Sequence, residues 1–122
     1  MKFMEMFRDW KDTAEYAPQT VIFTEGDPAD VLYVILSGEI ELTLRGESLG
    51  TETVGGIVGE MALINSATRS ATAKSLSDAK LARVDRDELT RLSHRSPEFS
   101  IHVMAALAKR LRSVDRFIAA RL

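Results

Sequence analysis

All seven glycines of this 122-residue chain lie between Gly26 and Gly59, where they cut the sequence into segments too short for ordinary helices. What lies between them has the periods of strands. "TVIFT" (20–24) reads as a strand, closed by "EGDPAD" (25–30), in which glycine, proline and two aspartates make a turn. "VLYVILSG" (31–38) is a continuous apolar run ended by Gly38, the pattern of a buried strand. "EIELTLR" (39–45) alternates, with Ile40, Leu42 and Leu44 on one face and Glu39, Glu41, Thr43 and Arg45 on the other. Gly46, Gly50, Gly55, Gly56 and Gly59 divide the next segment into short strands and turns. "SATAKSL" (70–76) and "AKLARVD" (79–85) add two strands joined near Ser77 and Asp78.

Helical signals sit at the two ends. Phe3, Met6, Phe7 and Trp10 fall at helical spacing and predict a short amphipathic helix over 3–12. Asp85 followed by Glu88 is a capping box that opens a helix carrying Leu89 and Leu92. Ser96 as N-cap, Pro97 at the first helical position and Glu98 near the positive end of the dipole start another, which runs toward the C-terminus. The expected fold is mainly β with flanking helices: a β-sandwich or jelly-roll barrel (a double-stranded β-helix) with a short N-terminal helix and C-terminal helices. A doubly wound sheet needs helices between its strands, and the pattern offers none. One domain is expected over 1–122, with an N-terminal helical segment (1–17), a barrel (18–85) and C-terminal helices (86–122).

Composition narrows the function. Apolar residues make up 45% and charged residues 28%, with a formal net charge of −2, so the chain as a whole has no nucleic-acid footprint. With no cysteine, disulfides, thiolate metal sites and thiol catalysis are excluded. No apolar run approaches a membrane span, and "MKFMEMFRDWKD" lacks the apolar stretch of a signal peptide, so a cytoplasmic protein without membrane contact is expected. An enzyme is not expected. His94 and His102 both fall in the helical tail, and no serine, histidine and acid cluster forms a nucleophile arrangement. Neither a cofactor nor a metal is called for.

The chemistry concentrates in "GEMALINSATRSAT" (59–72). Gly59 admits a backbone that other residues resist, or close approach to a ligand. "EMALI" makes a one-turn helix, whose start offers free N–H groups. Arg69 supplies a planar fork that matches phosphate oxygens two at a time, and Ser70 beside it adds a hydroxyl. Glu60, a pure acceptor at neutral pH, repels phosphate but suits a sugar hydroxyl. Singly, Glu60 is an ordinary first-turn acid and Arg69 an ordinary loop residue; together they describe a site for a ribose phosphate.

This string resembles the phosphate-binding cassette of the cyclic nucleotide-binding domain family, whose pattern is Gly-Glu, an aliphatic residue, Ala-Leu, a short loop, then Arg-Ser/Thr/Ala-Ala. Gly59, Glu60, Met61, Ala62, Leu63, Arg69, Ser70 and Ala71 fit it, and "VIFTEGDPADVLYVILSGEIEL" resembles the family's first strands, with Gly26 and Gly38 at its turns. Two features depart from the pattern: Val58 stands where the family has a bulky aromatic, and the strands between Gly38 and Gly59 are short. The resemblance implies that Glu60 accepts the ribose 2′-hydroxyl, that Arg69 pairs with the cyclic phosphate helped by Ser70, and that Gly59 and Ala62 contribute backbone groups. The purine of cyclic AMP or cyclic GMP would lie against the barrel wall under the C-terminal helix, where Arg110 would meet it. A second reading of the same fold is a ligand-independent interaction domain with a retired pocket.

Along the last helix, Met104, Leu107, Leu111, Val114 and Ile118 follow spacings of three and four, a heptad seam that predicts a homodimer. Lys109, Arg110, Arg112, Arg116 and Arg121 read mainly as a solvated face. The family's transcription factors carry a helix-turn-helix after this helix. The sequence ends at Leu122 without one, so a stand-alone sensor signalling to an unknown protein partner is expected, with no direct DNA binding.

Overall fold

The computed structural model describes residues 2–64 and 68–122. A 3-10 turn, Phe3–Phe7, opens the chain. Among the described residues eight strands follow: β1 (Thr13–Tyr16), β2 (Val21–Phe23), β3 (Val31–Ser37), β4 (Ile40–Leu44), β5 (Glu47–Glu52), β6 (Ile57–Val58), β7 (Thr72–Ser75) and β8 (Ala79–Asp85). One short helix, α1 (Glu60–Ile64), lies between β6 and β7; α2 (Arg86–Arg95) and α3 (Pro97–Ala119) close the chain.

The strands form two four-stranded sheets, in the orders β1-β8-β3-β6 and β2-β7-β4-β5, and every strand pairing between them is antiparallel. This is the jelly-roll arrangement with helices at its ends that the period of the sequence predicts. Residues 13–16 are a correction. Read from sequence as part of the helical N-terminus, they pair with β8 in register from Thr13 opposite Ala82 to Tyr16 opposite Ala79. The N-terminal helix is correspondingly short. "TAEY" carries no local strand signal, and the partner strand decides its form.

The continuous apolar run of β3 is explained by burial on both faces. Val31, Tyr33 and Ile35 point between the sheets, where they pack with Phe23, Ile40, Leu42, Val58, Ala73 and Leu81. Leu32 and Val34 point the other way, into a second cluster with Phe3, Phe7, Ala82, Val84, Leu92, Phe99 and Val103. The first sheet is thus a middle layer between the second sheet and the helices, and needs apolar side chains on both faces. The alternation of β4 holds at Ile40 and Leu42, which are buried, with Glu41 and Thr43 half-buried, but Leu44, expected on the inner face, is also only half-buried at the strand's end.

Local chemistry sets the turns and caps. Gly38 adopts φ +92°, and a Cβ there would run into the Asp78 carbonyl and Ala79, so only glycine fits between the β3–β4 turn and the start of β8. At α2 the capping box is reciprocal: the Asp85 side chain accepts from the Glu88 N–H at 2.8 Å, and the Asp85 N–H donates to Glu88 Oε1 at 2.9 Å. Ser96 caps α3 by accepting from the Phe99 N–H at 3.2 Å, with Pro97 in the first turn. Lys109 and Arg110, on the same long helix, reach back to the barrel.

Candidate functional site

Gly59 ends β6 with φ +82°, a conformation that turns the chain directly into α1. A side chain at this position would collide with the guanidinium of Arg69. The glycine therefore makes room for the arginine. The Arg69 backbone is pinned to the β2–β3 turn: its N–H donates to the Asp27 carbonyl at 2.8 Å, and its own carbonyl accepts from the Gly26 N–H at 2.9 Å.

The side chain of Arg69 runs inward and is only 4% exposed. Its Nη1 donates to the Gly59 carbonyl at 3.1 Å and its Nη2 to the Val31 carbonyl at 2.7 Å. The guanidinium carbon lies 4.3 Å from the centre of the Phe23 ring and 5.7 Å from that of Tyr33. Its Nε is buried without a hydrogen-bond partner. Among the described residues, no carboxylate forms an ion pair with it. Burial pulls its pKa below the usual arginine value, with Tyr33, Asp30, Asp27 and Glu60 opposing that shift.

Glu60, the first residue of α1, is 1% exposed. Its Oε1 accepts from Arg110 Nε at 3.2 Å, while its Oε2 has no partner. Burial raises its pKa above the ordinary carboxylate value, and Arg110 works against the shift. Arg110 is itself buried, and its Nη2 donates to the Ile57 carbonyl at 3.0 Å. One residue earlier on α3, Lys109 Nζ reaches Glu52 Oε1 at 2.5 Å. Consecutive cations of the helix thus hold two acids of the barrel. For Arg110 this revises the expectation of a solvated face: one position decides whether a helical cation points to water or to the core.

Gly59, Glu60, Met61, Ala62, Arg69, Ser70, Ala71 and Arg110 all border one cavity, to which the structure adds Phe23 and Leu42. Residues 65–67 of the cassette lie outside the described residues. Ser70 is exposed at the rim, its Oγ 3.9 Å from Met61 Sδ, while Ala62 and Ala71 are buried in the wall. The inward face of β4 announced Leu42 as buried, but nothing in "TVIFT" told which strand residue would lie against the arginine. The cavity volume is about 20 Å³, room for a water molecule. A small-molecule site usually encloses about 300 Å³ or more. The cavity is therefore too small for a nucleotide as it stands, with a cation and an acid buried in its wall, each retaining an unused polar atom.

Further along α3 the apolar residues split into two faces. Phe99 and Val103 pack on the barrel side with Arg110 and Ser113 buried below them. Ile101, Met104, Leu111 and Ile118 are 50–61% exposed. The expected seam of Met104, Leu107, Leu111, Val114 and Ile118 is thus divided, since Leu107 and Val114 are half-buried. His94 is exposed and His102 stacks on Phe3 at 3.8 Å between ring centres. Among the described residues, no helix is long and apolar enough to cross a membrane.

Comparison with known proteins gives a consistent picture. A family model described as the cyclic nucleotide-binding domain matches residues 13–96. The chain is 39% identical over 77 residues to the cAMP-dependent protein kinase regulatory subunit of Yarrowia lipolytica, a match covering 62% of this chain and 20% of that protein. It is 30% identical over 104 residues to the CRP-like cAMP-activated global transcriptional regulator of Mycobacterium tuberculosis, covering 80% and 46%. Among solved structures, the c-di-GMP responsive global regulator CLP of Xanthomonas campestris superposes with a TM-score of 0.80 at 28% identity, covering 95% of this chain and 61% of that one. The chain spans less than half the length of either curated relative.

Proposed function

The chain belongs to the cyclic nucleotide-binding domain family, and we propose that it is a sensor that takes cyclic AMP or cyclic GMP into the cavity between Arg69 and Glu60. The observation that carries this reading is the buried, unpaired Arg69. A charge removed from water is costly, and among the described residues no acid forms an ion pair with Arg69, although Asp30, Asp27 and Glu60 favour its charge without ion-pair contact. A cyclic phosphate supplies the missing charge, with Nε and the outer hydrogens of the fork as donors, Ser70 at the rim and the Gly59 and Ala62 backbone beside it. The free Oε2 of Glu60 supplies the acceptor for a ribose hydroxyl. The base lies against the barrel wall near Met61 and Ala71, under α3, where the Arg110 guanidinium stacks on it.

The 20 Å³ cavity means that binding must open the site. Arg110 now holds Oε1 of Glu60, and a sugar hydroxyl donating to the free Oε2 draws on the charge of the same carboxylate and loosens that hold. A ligand that prefers the arrangement with Arg110 released shifts the population toward it, and α3 carries the change to a protein partner. The exposed stripe of Ile101, Met104, Leu111 and Ile118 offers one such partner, a second copy of the chain. The whole of 1–122 acts in this reading as one regulatory domain without catalysis of its own.

Isothermal titration with cyclic AMP, cyclic GMP and cyclic di-GMP tests the proposal, with Arg69→Leu as the control. Saturable heat whose affinity the substitution weakens at least tenfold supports a sensor, and the tightest ligand identifies the signal. The small cavity favours a second reading, a ligand-independent interaction domain with a retired pocket. Absence of heat from the folded protein with all three ligands selects it.

A further inference from the structure

We infer that Phe23 is a positioning residue for Arg69, holding the guanidinium in its binding geometry through the face of its ring without touching the phosphate; this rests on the reading of Arg69 as the phosphate-binding group. Three observations lead to it. Phe23 and Tyr33 stack at 5.9 Å with 17° between their planes, and the guanidinium lies over both, nearer to Phe23. The same guanidinium is buried and forms no ion pair among the described residues, so beyond the fields of Asp30, Asp27 and Glu60 its direct contacts are two ring faces and two backbone carbonyls. Its Nε is unpartnered, so the rings cover a face of the fork while leaving a donor on its edge unused.

An arginine side chain without such a hold has a long flexible stem and gains hydration by swinging outward. A ligand would then have to restore the buried rotamer before pairing with it, and affinity falls by that cost. Phe23 is also where the site's constraints converge. A Cβ added to Gly59 would lie within 3.5 Å of the Phe23 ring as well as against Arg69, so glycine, ring and guanidinium share one packed space.

The test separates the ring's electrostatics from its shape. Phe23→Leu removes the aromatic face, and trifluorophenylalanine at position 23 keeps the shape while draining the face of electron density. Both are expected to weaken cyclic nucleotide binding, by about tenfold for Phe23→Leu and by less for the fluorinated ring. Neither should change binding further in an Arg69→Leu background, so the double-mutant cycle closes on a coupling between these two residues. In the ligand-free protein, the Arg69 Nε–H resonance should lose its ring-current shift and exchange faster with water in Phe23→Leu. Unchanged affinity in both ring variants, or an equal loss with and without Arg69, overturns the inference. If the unmodified protein binds no cyclic nucleotide, the site reading fails. The Nε–H measurement still decides whether Phe23 holds the arginine.

Discussion

Glu60 and Arg110, fifty residues apart in sequence, meet inside the protein with Nε 3.2 Å from Oε1 and both side chains almost wholly buried. The pair joins the start of α1 to the middle of α3. It does so at the wall of the cavity that contains Arg69. Its presence links the stability of the fold to the chemistry of the site, and the two respond differently to substitution.

Arg110→Leu should destabilise the protein by about 3 kcal/mol, because it leaves Glu60 buried without its partner. Glu60→Gln combined with Arg110→Met removes both charges and should recover much of that loss. Urea unfolding of the single and double variants measures the difference. A single variant as stable as the parent would show that the pair contributes nothing to holding α3 down.

Arg69→Leu should behave in the opposite sense. It gives up two bonds to backbone carbonyls but removes a buried charge that has no ion pair, so it should cost less stability than Arg110→Leu. Ligand binding should nevertheless weaken at least tenfold, and by as much as about 2–5 kcal/mol if the phosphate pair is fully desolvated. Thermal melting and titration calorimetry on one preparation give both numbers. Affinity equal to the parent's would remove Arg69 from the site.

Glu60 predicts a dependence on pH. Its folded-state pKa is raised by burial above the ordinary value near 4.5, so its proton stabilises the fold. That contribution is complete below the unfolded value and is lost as pH rises through the raised one. Ligand binding has the reverse slope, since a sugar hydroxyl donates to the carboxylate form. Affinity should therefore fall on acidification from pH 7.5 through the Glu60 titration, with proton release on binding in that window. Calorimetry in buffers of different ionisation enthalpy reads the released proton. Glu60→Gln should bind more weakly and show a flat profile; a sloping one would assign the pH effect elsewhere.

Leu111 lies in the middle of the exposed α3 stripe, 55% exposed. If this stripe pairs two chains, sedimentation equilibrium should give twice the chain mass for the parent and the single-chain mass for Leu111→Glu. The far-ultraviolet spectrum should not change, because Leu111 lies outside both buried clusters. A parent that stays monomeric at high micromolar concentration would leave the stripe for another partner.

How far the sequence reaches can be seen residue by residue. The caps of α2 and α3 were legible because capping is a contract between residues three apart. The cassette was legible as an ordered string, and the structure gathers Gly59, Glu60, Met61, Ala62, Arg69, Ser70 and Ala71 around one cavity. The strand at 13–16 was not, because "TAEY" becomes a strand only against β8. Phe23 was read as a strand residue and nothing more. Arg110 was singled out, yet its hold on Glu60 was not, since sequence spacing says nothing about which barrel acid faces a helix fifty residues away.

From β2 onward the sequence by itself determined the order of the elements, their periods, the turns where glycine is required and the chemical types available at the site. These depend on the backbone and on neighbours within a turn or two. Tertiary structure alone decided which charges are paired, which oxygen of Glu60 stays free, and that Arg69 lies against Phe23 without an ion pair among the described residues. Desolvation and Coulomb attraction depend on distance in space and on what excludes water, and neither is written in the spacing of residues along the chain.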